Sequence, residues 1–300
     1  MRVLISGGSG LVGSALTKSL RADGHSVFHF VRPGGTAAPG DVRWDPSQAT
    51  VDVPALEAFD AIVHLSGASI SDGRWTDNRK KELRSSRVDS TRVLVDSLER
   101  LKQPPRVFVC ASAIGYYGNR GDELLAESSG YGNDFLALVC RAWEGEAARA
   151  AARGVRTVMA RFGVILATQG GALPRMLMPF KLGLGGRLGS GKQWMSWIAL
   201  EDVVQILRSA IADEKIQGPV NIVAPQPVQN AEFTRVLAGV LHRPAIFPAP
   251  AIALRLALGQ MADGLLLSSQ RVQPEKLVTS GYKFRHESLQ PALQAILASP

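Results

Sequence analysis

Cysteine is nearly absent from this chain: 300 residues carry two, Cys110 and Cys140. That count excludes a disulfide framework and a cysteine-ligated metal centre, and the five histidines show no ligand spacing, so no metal is expected. A reducing, cytoplasmic setting is the natural expectation. Long apolar runs are missing too. Val3 to Ile5 is too short for the core of a signal peptide, and the most apolar late stretch, Pro250 to Met261, is broken by Arg255 and falls far short of the roughly 20 residues a bilayer requires. No membrane partner is therefore expected. Aromatic residues make up only 6 % of the chain and do not interleave with its basic ones, and no nucleic-acid-binding motif is present. The net charge of +8 is better matched to an anionic small molecule than to a nucleic acid.

Glycine, by contrast, is placed with purpose. Val3 to Ile5 read as a short buried strand, followed by a glycine turn and a helix. Gly7, Gly10 and Gly13 give GxxGxxG, while Gly8, Gly10 and Gly13 give GxGxxG, and the spacing alone does not choose between them. Either way the glycines let the backbone turn tightly, approach a pyrophosphate and pack the helix on the sheet. The helix N-terminus then offers unpaired amides to an anion, with Ser9, Leu11 and Val12 as main-chain donors. The second strand, Phe28 to Val31, ends in Arg32, where NAD-selective folds carry an acidic residue for the ribose 2′-hydroxyl. Asp23 comes too early for that role, so the spacing predicts NADP(H).

Strands and helices alternate beyond this point, which predicts an α/β fold: a Rossmann-type doubly wound parallel sheet with a smaller C-terminal substrate lobe. Asp60 to Leu65 and Arg106 to Cys110 read as buried strands. They end in Ser66-Gly67-Ala68 and Ala111-Ser112-Ala113, small residues suited to line a crevice beyond the carboxyl ends of the sheet. His64, inside the first of these, reads as a core residue. Arg79, Lys80, Lys81, Arg84 and Arg87 form the outer face of a helix. Gly186 to Lys192 resembles a phosphate loop, but Gln193 stands where a magnesium-binding hydroxyl is needed. Pro219 to Ala224 reads as a late strand, with Asn230 capping the helix after it. The expected division is a dinucleotide-binding domain over 1–166 and a substrate lobe over 167–300, including an extension at 249–300. Strands near 193–198 and 219–224 are expected to return to the sheet.

Taken together these segments resemble the extended short-chain dehydrogenase/reductase superfamily. SGGSGLVG stands where that family has TGxxGxxG, DAIVHLSGA resembles its DxVxHLAA strand, and CASAIGYYG resembles its serine-bearing segment; RFGVIL and WMSWIALEDVV follow in order. RWTDNRKKELRSSRV, FLALVCRAWE and PFKLGLGGRLGSGKQWMSWI resemble an atypical "epimerase family" subgroup, and the C-terminal LALGQMADGLLLSSQRVQPEKLVTSGYKF resembles its uncharacterised extension. The resemblance implies that Leu65 and Ser66 lie against the adenosine half of the cofactor, that Glu82 and Arg87 reach its side, and that Ile165 meets its far end.

The resemblance also exposes a departure. Ordinary members pair a tyrosine with a lysine four residues later to move the proton that accompanies hydride transfer. Counting back from Glu144 puts Leu136 in the tyrosine position and Cys140 in the lysine position, and neither side chain can do that work. Ser112 remains as a substrate contact, and Tyr117 just beyond it is the expected substitute acid. Two functions stay open: an NADP(H)-dependent oxidoreductase or nucleotide-sugar epimerase acting on an unidentified small molecule, and a non-catalytic NADP(H)-binding sensor read by a partner. A homodimer is left open.

Overall fold

The computed structural model describes residues 1–298. An eight-stranded sheet organises it: β1 (Arg2–Ser6), β2 (Ser26–Val31), β3 (Val42–Asp45), β4 (Thr50–Val51), β5 (Ala61–His64), β6 (Val107–Ala113), β7 (Arg156–Phe162) and β8 (Gly218–Ile222). Their spatial order is β8-β7-β6-β5-β1-β2-β3-β4, parallel throughout except for the β3–β4 pair. This is the Rossmann-type arrangement, with the chain reversing its direction of travel between β1 and β5. Residues alternate across the pleat. Val3 and Ile5 join one apolar cluster and Leu4 the other, so the central strands are buried on both faces and read as continuous apolar runs.

Helices cover both faces. α1 (Leu11–Ala22) buries Leu16 and Leu20 at helical spacing, and α5 (Leu200–Ala212) packs beside it through Val203, Ile206 and Leu207. On the other face lie α2 (Asp77–Leu98), capped by Thr76 accepting from the Arg79 amide, and α3 (Phe135–Ala148), capped by Asp134 accepting from the Ala137 amide. β6 runs three residues past the apolar stretch that marks it in the sequence, because its pairing with β7 continues through Ser112 opposite Arg161 and Ala113 opposite Phe162.

The smaller lobe packs α4 (Leu173–Lys181), α6 (Asn230–Leu241) and α9 (Leu289–Ala298) around Leu177, Phe180, Trp197, Phe233 and Leu293. β8 is the outer strand of the main sheet. The 193–198 stretch does not return to it: Trp194–Met195 pairs antiparallel with Val228–Gln229, and Trp197–Ala199 pairs parallel with Val164–Leu166. Asn230 is not the cap of α6 but its first residue, and its side-chain oxygen accepts from the Leu188 amide at 2.8 Å. The extension runs through α7 (Ala251–Leu258), a π-helical turn at Ala262–Leu266, a short strand and α8 (Glu275–Thr279). That short strand, Arg271–Val272, pairs parallel with Leu124–Leu125. The Asn221 amide group donates to the Gln273 carbonyl at 2.9 Å, so the extension is bonded to the outer strand of the sheet.

Candidate functional site

The glycine turn lies between the carboxyl ends of β1 and β5, where open parallel sheets bind their ligands. Gly7 takes φ +70°, and a Cβ there would sit 2.9 Å from the Leu65 carbonyl carbon. On Gly13 a Cβ would stand 2.2 Å from the Gly7 carbonyl oxygen, so the first turn of α1 rests directly on the turn before it. These contacts identify the 7/10/13 spacing as that of the turn. Gly8 is small for another reason, since a Cβ on it would lie 2.2 Å from the ring of His29 on β2. No side chain caps α1, and its first turn closes with the Ser14 amide on the Gly10 carbonyl. The amides of Leu11, Val12 and Gly13 are thereby left for a ligand. Leu11 itself packs against Gly170 and Gly171, the second of which also sits beside the Ile165 carbonyl.

The floor of the crevice is fixed by a buried polar chain. The Ser6 hydroxyl accepts from the amides of Leu65 and Ser66 at 3.1 and 3.3 Å, and lies 2.6 Å from Nδ1 of His64. Nε2 of His64 faces the Ser90 hydroxyl at 3.2 Å, which donates to the Ser86 carbonyl at 2.7 Å. The directions are mutually consistent with one neutral tautomer: Ser6 donates to Nδ1 and Nε2–H donates to Ser90. Burial pushes the His64 pKa down to about 3, so the ring is uncharged at neutral pH.

Arg32 stands exposed directly after β2, close enough to Asp45 at the end of β3 to favour that carboxylate's charge. Asp23 is ion-paired with Arg208, and the Asp41 carboxylate accepts from the backbone amides of His29 and Ala38. Arg87 reaches the crevice edge: its guanidinium donates to the Ala68 carbonyl at 3.0 Å, and a Cβ on Gly67 would lie 3.2 Å from it. Glu82 is not brought to Arg87. It pairs with Arg79 at 2.6 Å, and Arg79 donates onward to the Ser69 carbonyl.

Beyond the end of β6 lies a second buried network. The Ser112 hydroxyl donates to Glu144 Oε1 at 2.6 Å, and Arg161 forms a bidentate pair with the same carboxylate at 2.8 and 2.7 Å. Arg161 also donates to the Tyr117 hydroxyl at 2.9 Å, which donates to Asn221 Oδ1 at 2.7 Å. Burial works against the Arg161 charge, but the Glu144 carboxylate outweighs it and holds the guanidinium above its ordinary pKa. This geometry corrects the expectation for Tyr117. Its ring is fully buried, burial pushes its pKa up to about 12, and its proton is committed to Asn221. It is a core tyrosine, not an acid facing a substrate. Ser112 is likewise nearly covered, and with its proton given to Glu144 its oxygen offers only lone pairs.

Comparison with known proteins decides the lineage. Residues 3–223 match the NAD dependent epimerase/dehydratase family, and residues 249–296 match a domain of unknown function, DUF1731. The chain belongs to the epimerase/dehydratase family. It is 43 % identical to epimerase family protein Mb2239 of Mycobacterium bovis, over 97 % of this chain and 96 % of that one. It is 37 % identical to epimerase family protein YfhF of Bacillus subtilis, over 99 % and 98 %. Among solved structures, human epimerase family protein SDR39U1 (isoform 2) with NADPH superposes with a TM-score of 0.92 at 34 % identity, covering both chains fully. A nucleoside-diphosphate sugar epimerase from Corynebacterium glutamicum gives 0.81 at 38 % identity, over 99 % of this chain and 58 % of that one.

The α3 positions at which the resemblance implies a tyrosine and a lysine carry Leu136 and Cys140. Leu136 packs near Gly115 and Gly264, within an apolar cluster built on Trp75, Leu83 and Met261. One turn on, burial pushes the Cys140 thiol up to about 12, with Ser112 and Ala113 as its hydrogen-bonding neighbours. The π-helical turn of the extension closes over this place, since a Cβ on Gly264 would lie 2.8 Å from the Trp75 ring. Glu144 and Arg161 escape a reading for function from sequence. The one signal they leave is a charge embedded in an apolar segment, FLALVCRAWE and RTVMARF. The phosphate-loop look-alike at 186–193 has a structural place: Gln193 donates to the carbonyls of Leu188 and Leu266, both at 3.0 Å. A hollow of about 800 Å³ opens at the opposite, amino-terminal end of the sheet beside Asp60 and Arg106, away from the crevice. Among the described residues no helix is long and apolar enough to cross a membrane, and no three His, Cys, Asp or Glu residues are grouped to hold a metal.

Proposed function

We propose that this protein binds NADP(H) at the β1–β5 switch point and acts as an NADP(H)-responsive binding protein without tyrosine-dependent catalysis. One observation carries the proposal: an intact glycine cradle, with three free amides and Arg32 at its rim, lies in the same fold as a leucine and a neutral thiol at positions 136 and 140. In this reading Gly7, Gly10 and Gly13 admit the pyrophosphate, and the amides of Leu11, Val12 and Gly13 hold it. Arg32 accommodates the 2′-phosphate, while Leu65, Ser66 and Ile165 flank the rest. The human relative solved with NADPH supports the choice of cofactor. Bound NADP(H) would bring hydride chemistry, but Leu136 has no proton to move, Cys140 is neutral and Ser112 has already donated its own.

A second reading, an oxidoreductase or nucleotide-sugar epimerase, has the family and the retained Ser112 in its favour. Titration with NADPH and NADH, followed by turnover assays over a panel of carbonyl and nucleotide-sugar substrates, separates the two. NADPH is expected to bind at least about tenfold more tightly than NADH, a preference removed in Arg32→Ala, with binding itself lost in Gly13→Ala and no NADPH consumed. Turnover abolished by Ser112→Ala would overturn the binding-protein reading in favour of the enzyme. Absence of binding to either nucleotide would end both.

A further inference from the structure

One face of the smaller lobe is apolar, unpartnered and fringed with positive charge. None of the eight residues of α7 is buried, and Ile252 and Leu256, one helical turn apart, are among the most exposed large side chains of the described residues. Beside α7 the backbone of 247–249 is bonded to that of 185–189, through the Phe247 amide on the Gly185 carbonyl and the Ala249 amide on the Arg187 carbonyl. The turn leading into that segment from α4 carries Leu182 and Leu184. With Met178 and Phe247 these six side chains are between 53 and 74 % exposed, although burial is where such residues belong. Exposed apolar groups concentrated on adjoining segments mark a contact surface.

Charge identifies the occupant. From Leu173 to Lys192 and from Phe247 to Leu258, the two stretches that carry these six side chains, there are five Lys and Arg residues and no Asp or Glu. Arg175 and Arg255 are neutralised by Asp72 and Asp263 from outside these stretches, but Lys181 and Arg187 have no ion-pair partner among the described residues. A second copy of the chain would bring the same positive field against itself. The six apolar side chains also offer no directional hydrogen bond, whereas protein interfaces carry about one per 100–200 Å². Aliphatic side chains on a helix and a neighbouring turn, rimmed by unpaired lysine and arginine, suit shallow insertion between anionic headgroups.

We propose that this face docks on an anionic lipid bilayer surface, with Leu182, Leu184, Ile252 and Leu256 entering the headgroup boundary and Lys181 and Arg187 facing the lipid charge. The absence of a spanning helix does not bear on such a contact, which lies on the surface of the bilayer. The test is sedimentation of the full chain with vesicles of phosphatidylcholine alone or mixed with phosphatidylglycerol. The chain is expected to pellet with the mixed vesicles, to be released by salt, and to stay in solution with the neutral ones. Ile252→Glu with Leu256→Glu, both at exposed positions, should weaken partitioning roughly tenfold or more while leaving the circular dichroism unchanged. Failure to bind mixed vesicles at low salt would overturn the proposal, as would equal binding by the double variant. Sedimentation velocity showing a dimer that the double variant dissolves would overturn it in favour of a second copy.

Discussion

Acid should loosen this fold through His64, and the size of the effect follows from its surroundings. In the native protein its pKa lies at about 3, against 6.5 for an ordinary histidine, because the ring is fully buried. The unfolded chain takes up a proton as the pH falls below 6.5, and the folded chain refuses it until near 3. The stabilisation is therefore complete above the unfolded pKa and drains away as the pH falls toward the folded one. Integrated to about pH 5, one such group costs about 2 kcal/mol of folding free energy. Urea unfolding of wild type and His64→Gln across about pH 5 to 7.5 isolates that share, because the other titrating groups are common to both proteins. The variant starts less stable, since a hydrogen-bonded core residue has been replaced, but its stability should fall by about 2 kcal/mol less over the range. Parallel profiles would refute the assignment. Ser6 also holds the amides of Leu65 and Ser66, and because the folded ring stays neutral down to near pH 3, NADPH affinity of the folded protein should stay flat over the same interval.

The buried ion pair makes a contrasting prediction. Glu144→Ala strands the Arg161 guanidinium without its carboxylate and should cost about 3–5 kcal/mol in chemical denaturation. Ser112→Ala leaves that pair standing and should cost about 1–2 kcal/mol, so equal losses would show that the network is not organised around Glu144. Burial pushes both thiols to about 12, so Cys110 and Cys140 should resist alkylation near pH 8 in the native protein and react freely in urea; labelling of the native chain at the rate of a small thiol would refute their burial. The same elevation predicts an alkaline loss. The folded thiols keep protons that the unfolded ones release above about pH 9, which destabilises the fold by about 1.4 kcal/mol per thiol at pH 10, detectable as a steeper fall than in Cys110→Ala.

Features that depend on neighbours in sequence were legible there. Gly13 is demanded by a backbone contact with Gly7 within one turn, Gly7 by its left-handed φ, and the central strands by unbroken apolar runs. What the sequence concealed depends on partners far apart in the chain. Glu144 and Arg161 sit 17 residues apart on a helix and a strand, and Tyr117 meets Asn221 across 104 residues. Nothing near Tyr117 announces that its hydroxyl points into the core instead of the crevice. The same limit explains the stretch at 194–199, whose apolar alternation suits a strand of the main sheet as well as the two small ladders it forms. Asn230 has the composition of a helix cap, yet a loop packed from 42 residues upstream claims its side chain.

The bonds between the extension and the outer strand bear on how the protein is made. Asn221, Val223 and Leu125 lie fully covered, and part of their surroundings comes from Val272, Gln273 and the turn into α8. While a ribosome is still short of those codons, β8 can already lie beside β7 with its Asn221 backbone amide on Glu127, but the rest of its outer flank stays uncovered and the Asn221 side chain lacks its acceptor. A nascent chain in that state presents an open strand margin to other nascent chains, a known invitation to aggregation. Premature termination before residue 271 should therefore yield not a smaller working protein but a substrate for chaperones and proteases.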